Sequence, residues 1–524
     1  MSVSKGRFQH RVLMLGIDGL SVDVYKALRG HGYLRSLSQL ESRGVTGSVP
    51  MVPPFTPPMW TSIVSGVNPG KHGIYYFFLT DEVGRPIRVH MATDVMRPRI
   101  HDIVSYHGGE SLVVNLPFSS WPLIPFRGAL ISDWLSPRDY AKPEWLNELY
   151  KKVLGEVSRE YSKRSEICGL LAHDMALIET VARASRRGLL KDKAYVFIMM
   201  RFVDAIVHGH PDEIYNPRDD CLRHVLGAFD ELMEEVLIPE FMDNGLILIV
   251  SDHGVDRASY RVSIPRILYD YGLVKIRLKK VSESLARETG GKEPLVARLV
   301  NMLMRNRITG KIVTRIGRKV MTWFPRLRRV AVHVERPTID EENSPVVMPH
   351  EWSMGIYVNT RVVDDVKSVV ERVREALEEF QRETGHHFAY SIDLGRGGIF
   401  HGPYVNRAPH IVVSPRRGYS LASANIYAPP VDPVDGRIGD HHPANMHLVV
   451  APSGDPMLEE AARHIKEPWD YAVIALLALG LPLPHDTDSR LCERLGIKCE
   501  YTNYNTRYMI SRRLAMKTGS GVPH

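Results

Sequence analysis

Cysteine is scarce in this chain, which has four in 524 residues: Cys168, Cys221, Cys492 and Cys499. Their spacing matches no metal-finger pattern, so the cysteines do not indicate a zinc-finger type of site. We therefore expect the thiols to lie in the core or to be chemically inert. Cys492 and Cys499 are near enough in sequence to pair, and the sequence leaves that pairing open.

Long apolar runs are also absent. The longest, residues 472–481, is followed by Pro482 and Pro484, and it is too short for a helix that crosses a bilayer, which needs about 20 residues. The start of the chain, MSVSKGRFQHRVLML, lacks the apolar run and small-residue cleavage site of a secretory signal. An apolar content of 44% with 24% charged residues is ordinary for a globular protein. These features predict a soluble, cytoplasmic protein.

Negative charge is scarce in one block of the sequence. The formal net charge is +7, and residues 275–330 hold 16 Lys and Arg against 3 Glu, which leaves 51 basic and 57 acidic residues elsewhere. Such a block is most often a solvated helical face; contact with phosphate, nucleic acid or a membrane surface is the alternative. We assign residues 271–335 as a basic, mostly helical insert or cap. Residues 1–270 and 336–490 are predicted to form one core, and residues 491–524 a C-terminal tail.

Several short apolar runs have the composition of buried parallel strands. The clearest are VLMLGI, YVFIMM and LILIV, which begin at residues 12, 195 and 246, and weaker runs begin at residues 111, 129, 355, 410 and 447. Amphipathic helical patterns lie between them, notably at residues 142–189 and 364–383. Continuous apolar strands are typical of parallel sheets with both faces covered. The alternation predicts an α/β fold.

The stretch PPFTPPMWTSIVSGVNPGKHGI, from Pro53 to Ile74, presents a hydroxyl at the start of a helix. Pro57 suits the first turn of a helix, which places Thr56 at or near the N-cap. Free backbone N–H groups at that end favour an anion such as a phosphate or an alkoxide. A threonine needs a base or a metal to act as a nucleophile. The alternative is a Thr56 that only caps the helix.

Acidic and imidazole side chains follow the strongest predicted strands. Asp18 comes directly after VLMLGI, where a helix cap is the alternative, and Asp252 and His253 come just after LILIV. Asp204 and His208 follow YVFIMM and are four residues apart, so on a helix they share one face, as a metal clamp or as a surface pair. Functional groups collect at the carboxyl ends of strands in open α/β sheets. A buried Asp is costly unless it is paired or binds a metal.

His441, from the polar segment GDHHP, completes a set of seven potential metal ligands. The set is Asp18, Thr56, Asp204, His208, Asp252, His253 and His441. Three carboxylates, three imidazoles and one hydroxyl suffice for two divalent metal ions about 4 Å apart, an arrangement suited to in-line phosphoryl displacement. Imidazole ligands favour Zn²⁺, with Mn²⁺ or Fe as alternatives, over Mg²⁺ alone.

These motifs, in this order, resemble the alkaline phosphatase superfamily, in its branch of type I phosphodiesterases and nucleotide pyrophosphatases, particularly the archaeal and bacterial cytoplasmic members. The resemblance covers most of the chain and includes the Asp204–His208 pair. The matching segments are LGIDGL at Asp18, FTPPMWTSIVSGVNPGKHGIY at Thr56, ISDWLSP at residues 131–137, VSDHG at Asp252, GDHHP at His441 and DYAVIALLALGLPLP at residues 470–484. The resemblance implies a three-layer α/β/α catalytic core with a central, mainly parallel sheet.

The resemblance also implies a role for each residue of the set. One metal would be held by Asp18, Thr56, Asp252 and His253. The other would be held by Asp204, His208 and His441, with His442 as an alternative to His441. Thr56 would attack phosphorus to form a phosphothreonine, which metal-activated water would then hydrolyse. The substrate would be a phosphorylated small molecule.

The chain departs from the family pattern in two places. The nucleotide pyrophosphatases usually read Thr-Phe-Pro-Asn at the nucleophile, whereas this chain reads TPPM from Thr56. They also place a phosphoryl-contacting Asn shortly after His-Gly-Ile, whereas Ile74 is followed here by Tyr75, Tyr76 and Phe77. These departures leave open which group contacts the phosphoryl oxygens and whether the substrate is a nucleotide.

The leading hypothesis is a metal-dependent phosphoric-ester hydrolase, a phosphodiesterase. The alternatives are a phosphomonoesterase or phosphomutase of the same superfamily, and a non-catalytic binding protein that has retained the fold. A sulfatase is disfavoured because neither Cys-x-Pro-x-Arg nor Ser-x-Pro-x-Arg stands at the nucleophile. Nucleic-acid or membrane-surface contact through residues 275–330 is a further hypothesis. The sequence does not indicate an oligomeric state.

Overall fold

The computed structural model of the chain describes residues 8–120, 122–123, 125–161, 164–280, 335–348, 354–421, 426 and 429–518. Most of the predicted basic insert, residues 271–335, lies outside the described residues, as does most of the basic block at 275–330. The helical character of the insert and its contacts with nucleic acid or membrane stay predictions. So do the predicted domain boundaries.

The strands and helices are numbered in chain order. The described strands are β1 (Arg11–Ile17), β2 (Val45–Gly47), β3 (Phe78–Thr80), β4 (Pro86–Val89), β5 (Glu110–Val114), β6 (Gly128–Ile131), β7 (Ala141–Lys142), β8 (Lys193–Met200), β9 (Gly245–Val250), β10 (Gly254–Val262), β11 (Ile276–Lys280), β12 (Glu335–Ile339), β13 (Val346–Val347), β14 (Gly355–Val358), β15 (Ala389–Leu394), β16 (Ile411–Pro415), β17 (Gly418–Ser420), β18 (Val431–His442), β19 (His447–Val450), β20 (Leu483–Pro484) and β21 (Tyr501–Thr502).

The described α-helices are α1 (Val22–Gly30), α2 (Arg35–Glu41), α3 (Thr56–Ser65), α4 (Pro69–His72), α5 (Ile100–Tyr106), α6 (Glu144–Tyr161), α7 (Glu166–Ser185), α8 (Phe202–Val207), α9 (Pro211–Tyr215), α10 (Asp220–Leu232), α11 (Ile238–Phe241), α12 (Ile264–Asp270), α13 (Val366–Thr384), α14 (Pro456–Arg463), α15 (Asp470–Leu479), α16 (Leu491–Leu495) and α17 (Asn505–Thr518). A π-helical turn, Met233–Leu237, joins α10 to α11.

A central sheet organises the larger part of the molecule. Its strand order is β2–β19–β9–β1–β8–β5–β6–β7. The five strands from β9 to β6 run parallel, whereas β19 is antiparallel to both β9 and β2, and β7 is antiparallel to β6. The prediction of an α/β fold with a mainly parallel sheet is confirmed.

Helices cover both faces of this sheet, which explains the continuous apolar strands. Alternate side chains of a strand point to opposite faces. In β1, Leu13 and Leu15 pack in an apolar cluster with α6, α7 and α10. Val12 and Met14 pack on the other face with α3 and α15. The result is the three-layer α/β/α arrangement that the resemblance implies.

A smaller unit has its own sheet and its own core. Strands β13, β14, β16 and β15 form a four-stranded sheet in that order. Side chains from this sheet and from α12 and α13 build a separate apolar cluster that includes Ile356, Leu377 and Ile411. The strands β11 and β12 pair antiparallel beside it, so the chain leaves for the undescribed residues 281–334 and returns at the same place.

A long antiparallel ribbon connects the core with the segment that carries His441. Strand β10 pairs with β18 over most of its length, and β17 adds to the other edge of β10. In this register Val255 lies opposite His441, and Gly254 lies opposite His442. The ribbon therefore brings His441 next to the end of β9, although 188 residues separate it from His253.

Cys168, Cys221 and Cys492 are buried, as expected of core residues, but all four cysteines are paired, which corrects the expectation of free thiols. One disulfide joins Cys168 in α7 to Cys221 in α10, and the other joins Cys492 to Cys499. The second pairing is the one that the sequence left open. The first was not predicted, because 53 residues separate the two cysteines and only the folded packing of α7 against α10 brings them together.

The described part of the predicted C-terminal tail packs on the core. Tyr508 of α17 is fully buried, and its hydroxyl donates to the Val95 carbonyl oxygen at 3.1 Å. Tyr504 is also buried, and its hydroxyl donates to the Pro482 carbonyl oxygen at 3.0 Å. Among the described residues, no helix is long and apolar enough to cross a membrane.

Candidate metal centre

The carboxyl ends of three adjacent strands supply most of the predicted site. Strands β9, β1 and β8 are neighbours in the parallel part of the sheet. Asp18 follows β1 and Asp252 follows β9, while Asp204 lies in α8, which starts two residues after β8 ends. Because parallel strands end at the same edge of the sheet, these carboxylates converge.

The first group of potential ligands is Asp18, Asp252 and His253, all of which are fully buried. His253 Nε2 lies 3.4 Å from Asp18 Oδ1 and 3.3 Å from Asp252 Oδ2. The backbone N–H of Gly19 donates to Asp252 Oδ1 at 3.4 Å. Gly19 has a φ of +78°, and a Cβ at this position would lie 2.9 Å from the Val255 side chain, so the turn after β1 requires glycine.

The second group is Asp204, His208 and His441. Asp204 Oδ1 lies 3.2 Å from His208 Nε2 and 3.0 Å from His441 Nε2, and the two imidazole nitrogens are 3.3 Å apart. Asp204 and His441 are buried, which is at odds with the surface-pair alternative for Asp204 and His208. The other nitrogen of His441, Nδ1, lies 3.0 Å from the Pro54 carbonyl oxygen, just before Thr56.

Thr56 is the first residue of α3 and does not act as its cap. Phe55 occupies the N-cap position, and none of the described side chains caps this helix. The Thr56 hydroxyl lies instead 3.2 Å from His253 Nε2 and is buried. The cap alternative is likewise wrong for Asp18, because Ser21 accepts the capping hydrogen bond of α1.

The two ligand groups adjoin through their imidazoles. The rings of His253 and His441 stack with their centroids 3.7 Å apart and their planes 20° apart. Thr56 contacts the first group at His253, and the carbonyl group of Pro54 contacts the second group at His441. The seven predicted residues therefore form one continuous cluster around the start of α3.

A comparison with known protein families identifies the family of this chain. Residues 12–447 match the family described as type I phosphodiesterase / nucleotide pyrophosphatase. The chain belongs to this family. It is a hydrolase that acts on phosphoric ester bonds. No curated protein matches its sequence.

Two solved structures that are similar to this chain are distant from it in sequence. Phosphonoacetate hydrolase from Sinorhizobium meliloti 1021, in complex with phosphonoformate, is 13% identical with a TM-score of 0.52, over 90% of this chain and 96% of that chain. Murine ectonucleotide pyrophosphatase / phosphodiesterase 5 is also 13% identical, with a TM-score of 0.48, over 91% of this chain and 97% of that chain. At this identity the likeness to the hydrolase shows the fold alone.

The first ligand group of this family member has an excess of buried negative charge. Burial, and then the charges of Asp252 and Asp204, raise the pKa of Asp18 well above its usual value. Burial and the charge of Asp204 likewise raise the pKa of Asp252. Burial and the nearby His441 hold the pKa of His253 well below its usual value. A bound cation would favour the ionised form of both carboxylates.

The second ligand group is electrostatically different, since two imidazoles share one carboxylate. Burial alone would raise the pKa of Asp204, but His208 and His441 hold it well below its usual value. Burial lowers the pKa of His208, yet the adjacent Asp204 carboxylate outweighs this effect and raises it to about 9. Because a metal-bound imidazole nitrogen cannot carry a proton, a divalent cation at this group would have to displace the proton that the raised pKa favours on His208.

The residues present fit the divalent metals on which this family typically depends. Neither oxygen of Asp18 nor Asp252 Oδ2 has a hydrogen-bond partner in the described part of the chain, although all three are buried. An unpaired buried carboxylate oxygen is costly, and a coordinated cation removes that cost. Carboxylates combined with imidazoles are donors that suit Zn²⁺, Mn²⁺ or Fe.

His442, the alternative to His441, lies outside the cluster. Its Nε2 lies 3.2 Å from the Val255 carbonyl oxygen, and its Nδ1 accepts from the backbone N–H of Ala444 at 3.2 Å.

A third group of metal-binding residue types, Cys168, Asp219 and Cys221, lies where α7 meets α10. Its cysteines are joined in a disulfide, so they offer no thiolate.

Sequence reasoning missed Arg201, which lies beside the second ligand group. Its Nη2 is 3.5 Å from Asp204 Oδ2, and its guanidinium carbon lies 4.2 Å from the centroid of the Trp134 ring. A signal was present in the sequence, because Arg201 directly follows β8 just as Asp18 directly follows β1. Trp134 belongs to the segment ISDWLSP, which matched the family without a role.

Proposed function

We propose that this chain is a phosphodiesterase in which the Thr56 hydroxyl attacks phosphorus at a site for two divalent metal ions. One observation carries the proposal: the Thr56 hydroxyl is buried 3.2 Å from His253 Nε2, where the two groups of potential ligands adjoin. A threonine that merely stabilised its helix would cap it, and Thr56 does not. The substrate would be a phosphorylated small molecule.

The ligand assignment follows the two groups. Asp18, Asp252, His253 and the Thr56 oxygen would hold one cation, and Asp204, His208 and His441 the other. When bound, the two cations would lower the pKa of a coordinated hydroxyl or water and offset the negative charge of the phosphoryl oxygens. The imidazole nitrogens favour Zn²⁺, with Mn²⁺ or Fe as alternatives.

Two displacements at phosphorus make up the proposed reaction. In the first, a bond forms between Thr56 Oγ1 and phosphorus while the bond from phosphorus to the leaving oxygen breaks. The Thr56 hydroxyl gives up its proton to solvent, and the leaving oxygen takes up a proton from solvent. In the second, a water oxygen attacks the phosphothreonine and releases Thr56, which recovers a proton. Thr56 is rigidly placed for both steps because it opens α3, whose first turn contains Pro57 and Pro58.

Hydrolysis of bis-p-nitrophenyl phosphate beside p-nitrophenyl phosphate tests the proposal. The protein is stripped of metal, and Zn²⁺ or Mn²⁺ is restored before each assay. We expect metal-dependent turnover with preference for the diester. Preference for the monoester would move the assignment to a phosphomonoesterase or phosphomutase, and a chain that binds no metal would be a non-catalytic member of the family.

The cytoplasmic location stays a prediction, and the disulfides offer a test of it. Disulfides are rare in the cytosol of mesophiles, where thiols are kept reduced, but they are common in intracellular proteins of hyperthermophiles. Counting free thiols in protein isolated from its source under alkylating conditions decides the redox state of Cys168 and Cys221.

Contact with nucleic acid or a membrane through residues 275–330 also stays a prediction.

A further inference from the structure

The start of α3 offers few hydrogen-bond donors to an anion bound at Thr56. Helix N-termini normally present free N–H groups in their first turn. Here Pro57 and Pro58 follow Thr56 and carry no N–H, and the N–H of Met59 already donates to the Phe55 carbonyl oxygen at 3.2 Å. The first turn of α3 therefore lacks several of the N–H donors that a phosphoryl group at Thr56 would otherwise meet.

Arg201 is held at the edge of the same cluster. It is the first residue after β8 and precedes α8, which carries Asp204. Its backbone N–H lies 3.1 and 3.0 Å from the two carboxylate oxygens of Asp174, a buried residue of α7. The Cα position of Arg201 is thus fixed by the sheet on one side and by α7 on the other.

The guanidinium of Arg201 is oriented but not saturated. Its carbon lies 4.2 Å from the centroid of the Trp134 ring, a cation–π contact that occupies one face of the guanidinium and not its N–H edge. Nη2 is 3.5 Å from Asp204 Oδ2, and the buried Nε has no hydrogen-bond partner among the described residues. Arg11 shows the contrast, since it stacks on Phe241 and also donates to the carbonyl oxygens of Lys193 and Leu190.

The cluster opens to solvent on the side of Arg201. The side chains of Arg201 and His208 are 23% and 27% exposed, whereas those of Asp204 and His441 are each 8% exposed and those of Asp18 and His253 are fully buried. Arg201 and His208 are therefore the more solvent-accessible members of this group of side chains. The planar fork of an arginine matches two oxygens of a phosphate.

We propose that Arg201 binds a non-bridging oxygen of the substrate phosphoryl group, with Trp134 holding the guanidinium plane. The inference rests on the proposed phosphodiesterase function and deepens it by naming the residue that recognises the anion. Arg201 would supply hydrogen-bond donors in place of the backbone N–H groups that Pro57 and Pro58 lack. The inference also answers, for this chain, which group contacts the phosphoryl oxygens in place of the asparagine that the family pattern expects.

Calorimetric binding of inorganic phosphate to the metal-loaded protein tests the inference without turnover. Wild type is compared with Arg201→Met, which keeps the length of the side chain but removes its charge, and with Arg201→Lys. Arg11→Met is the matched control, because it removes a guanidinium stacked on an aromatic ring far from the cluster. We expect phosphate to bind Arg201→Met about tenfold to a hundredfold more weakly, since a hydrogen bond to a charged group is lost. Arg201→Lys is expected to be intermediate and Arg11→Met unchanged.

Measurements of metal content and turnover distinguish a role of Arg201 in binding phosphate from a role in orienting Asp204. Unchanged metal content in Arg201→Met, together with weaker phosphate binding and recovery of turnover on adding guanidinium chloride, supports the inference. Loss of metal along with phosphate would show that Arg201 orients Asp204 instead, and unchanged phosphate binding would overturn the inference outright. If Arg201→Met does not fold, Arg201→Lys decides by the same criteria. A wild type that binds phosphate through Arg201 yet cleaves no ester would defeat the proposed function alone.

Discussion

Thr56 is the residue on which the proposed chemistry depends most directly. A threonine at the start of a helix can use its hydroxyl to cap that helix or can direct it toward another group. The structure places the Thr56 hydroxyl 3.2 Å from His253 Nε2 and leaves α3 uncapped by any described side chain. A stabilising interaction available to the helix is therefore forgone at this position, which is typical of residues placed for function.

Replacing Thr56 tests its assignment as the nucleophile. We expect Thr56→Ala to lower kcat by about three orders of magnitude or more, because removing a nucleophile leaves only binding and electrostatic effects. Steady-state turnover of the diester, with metal content measured in parallel, checks this. Thr61→Ala is the matched control: Thr61 is also buried in α3, but its hydroxyl donates to the Pro57 carbonyl oxygen. Full turnover by Thr56→Ala would assign the nucleophile elsewhere.

Residues differ in how far the sequence could predict them. Asp18 and Asp252 directly follow continuous apolar runs, so a strand prediction alone placed both at one edge of a parallel sheet. For His441 the sequence offered only the polar segment GDHHP and no strand prediction, because its strand β18 alternates in exposure and has no apolar run. Arg201 was overlooked since an arginine after a strand more often faces solvent, and only the folded position of Trp134 shows otherwise.

The ribbon of β10 and β18 is the element that assembles the two ligand groups. Its register sets Val255 opposite His441 and Gly254 opposite His442. Gly254 leaves no room for a side chain, since a Cβ there would lie 2.1 Å from the Ala444 carbonyl oxygen. His253 precedes this glycine and His441 precedes its partner His442, and the rings of the two histidines stack.

Gly254→Ala is expected to disturb this element. The added methyl must push β18 away from β10, so we expect a lower metal content and a lower Tm, both of which can be measured on the purified protein. Gly30→Ala is the control, because no atom lies within 4 Å of a Cβ at Gly30, the last residue of α1. Unchanged metal content in Gly254→Ala would show that the register does not control the ligands.

The disulfides stabilise different elements by different amounts. Cys168–Cys221 closes a loop of 53 residues between α7 and α10, and Cys492–Cys499 closes one of 7. Loop-closure entropy predicts losses in the free energy of unfolding of about 4 and about 2 kcal/mol when each pair is changed to serine. Denaturant unfolding of the two double variants checks the order. A larger loss for the pair at 492 and 499 would contradict it.

Strand prediction succeeded for individual elements but not for their grouping. The runs that begin at residues 355 and 410 are strands, as the sequence predicts, yet they belong to the separate four-stranded sheet. An apolar run reports that a strand is buried and carries no information about its partner. Sheet membership is decided by long-range pairing such as that of Ile356 with Ile411, which a single sequence does not contain.

At the scale of the whole molecule, buried histidines make stability depend on pH. Burial lowers the pKa of a set of histidines to values far below the usual 6.5. The set is His72, at about 3, and His101, His173, His410, His442 and His447, each at about 4. These residues stay neutral in the folded protein at pH values where the unfolded chain already binds protons.

We therefore expect the metal-stripped protein to lose stability as pH falls from 6.5 toward 4. The unfolded state binds more protons in this range, so the free energy of unfolding drops by about 1.4 kcal/mol per pH unit for each such histidine. Denaturant midpoints at pH 7, 6 and 5 measure the slope. His173→Asn should reduce the slope. A midpoint that stays constant over this range would contradict the expectation.

The pairing of β2 with β19 fixes when the molecule can be completed during its synthesis. Strand β2, at residues 45–47, pairs with β19 at residues 447–450, and among the described strands β19 is its one neighbour in the sheet. His441 comes from the same late stretch of chain. At roughly 5–20 residues per second, a ribosome needs about 20–80 s to add the 400 residues between Gly47 and His447. Throughout that interval a nascent chain that already contains Asp18 and Thr56 has neither its edge strand paired nor its ligand set closed.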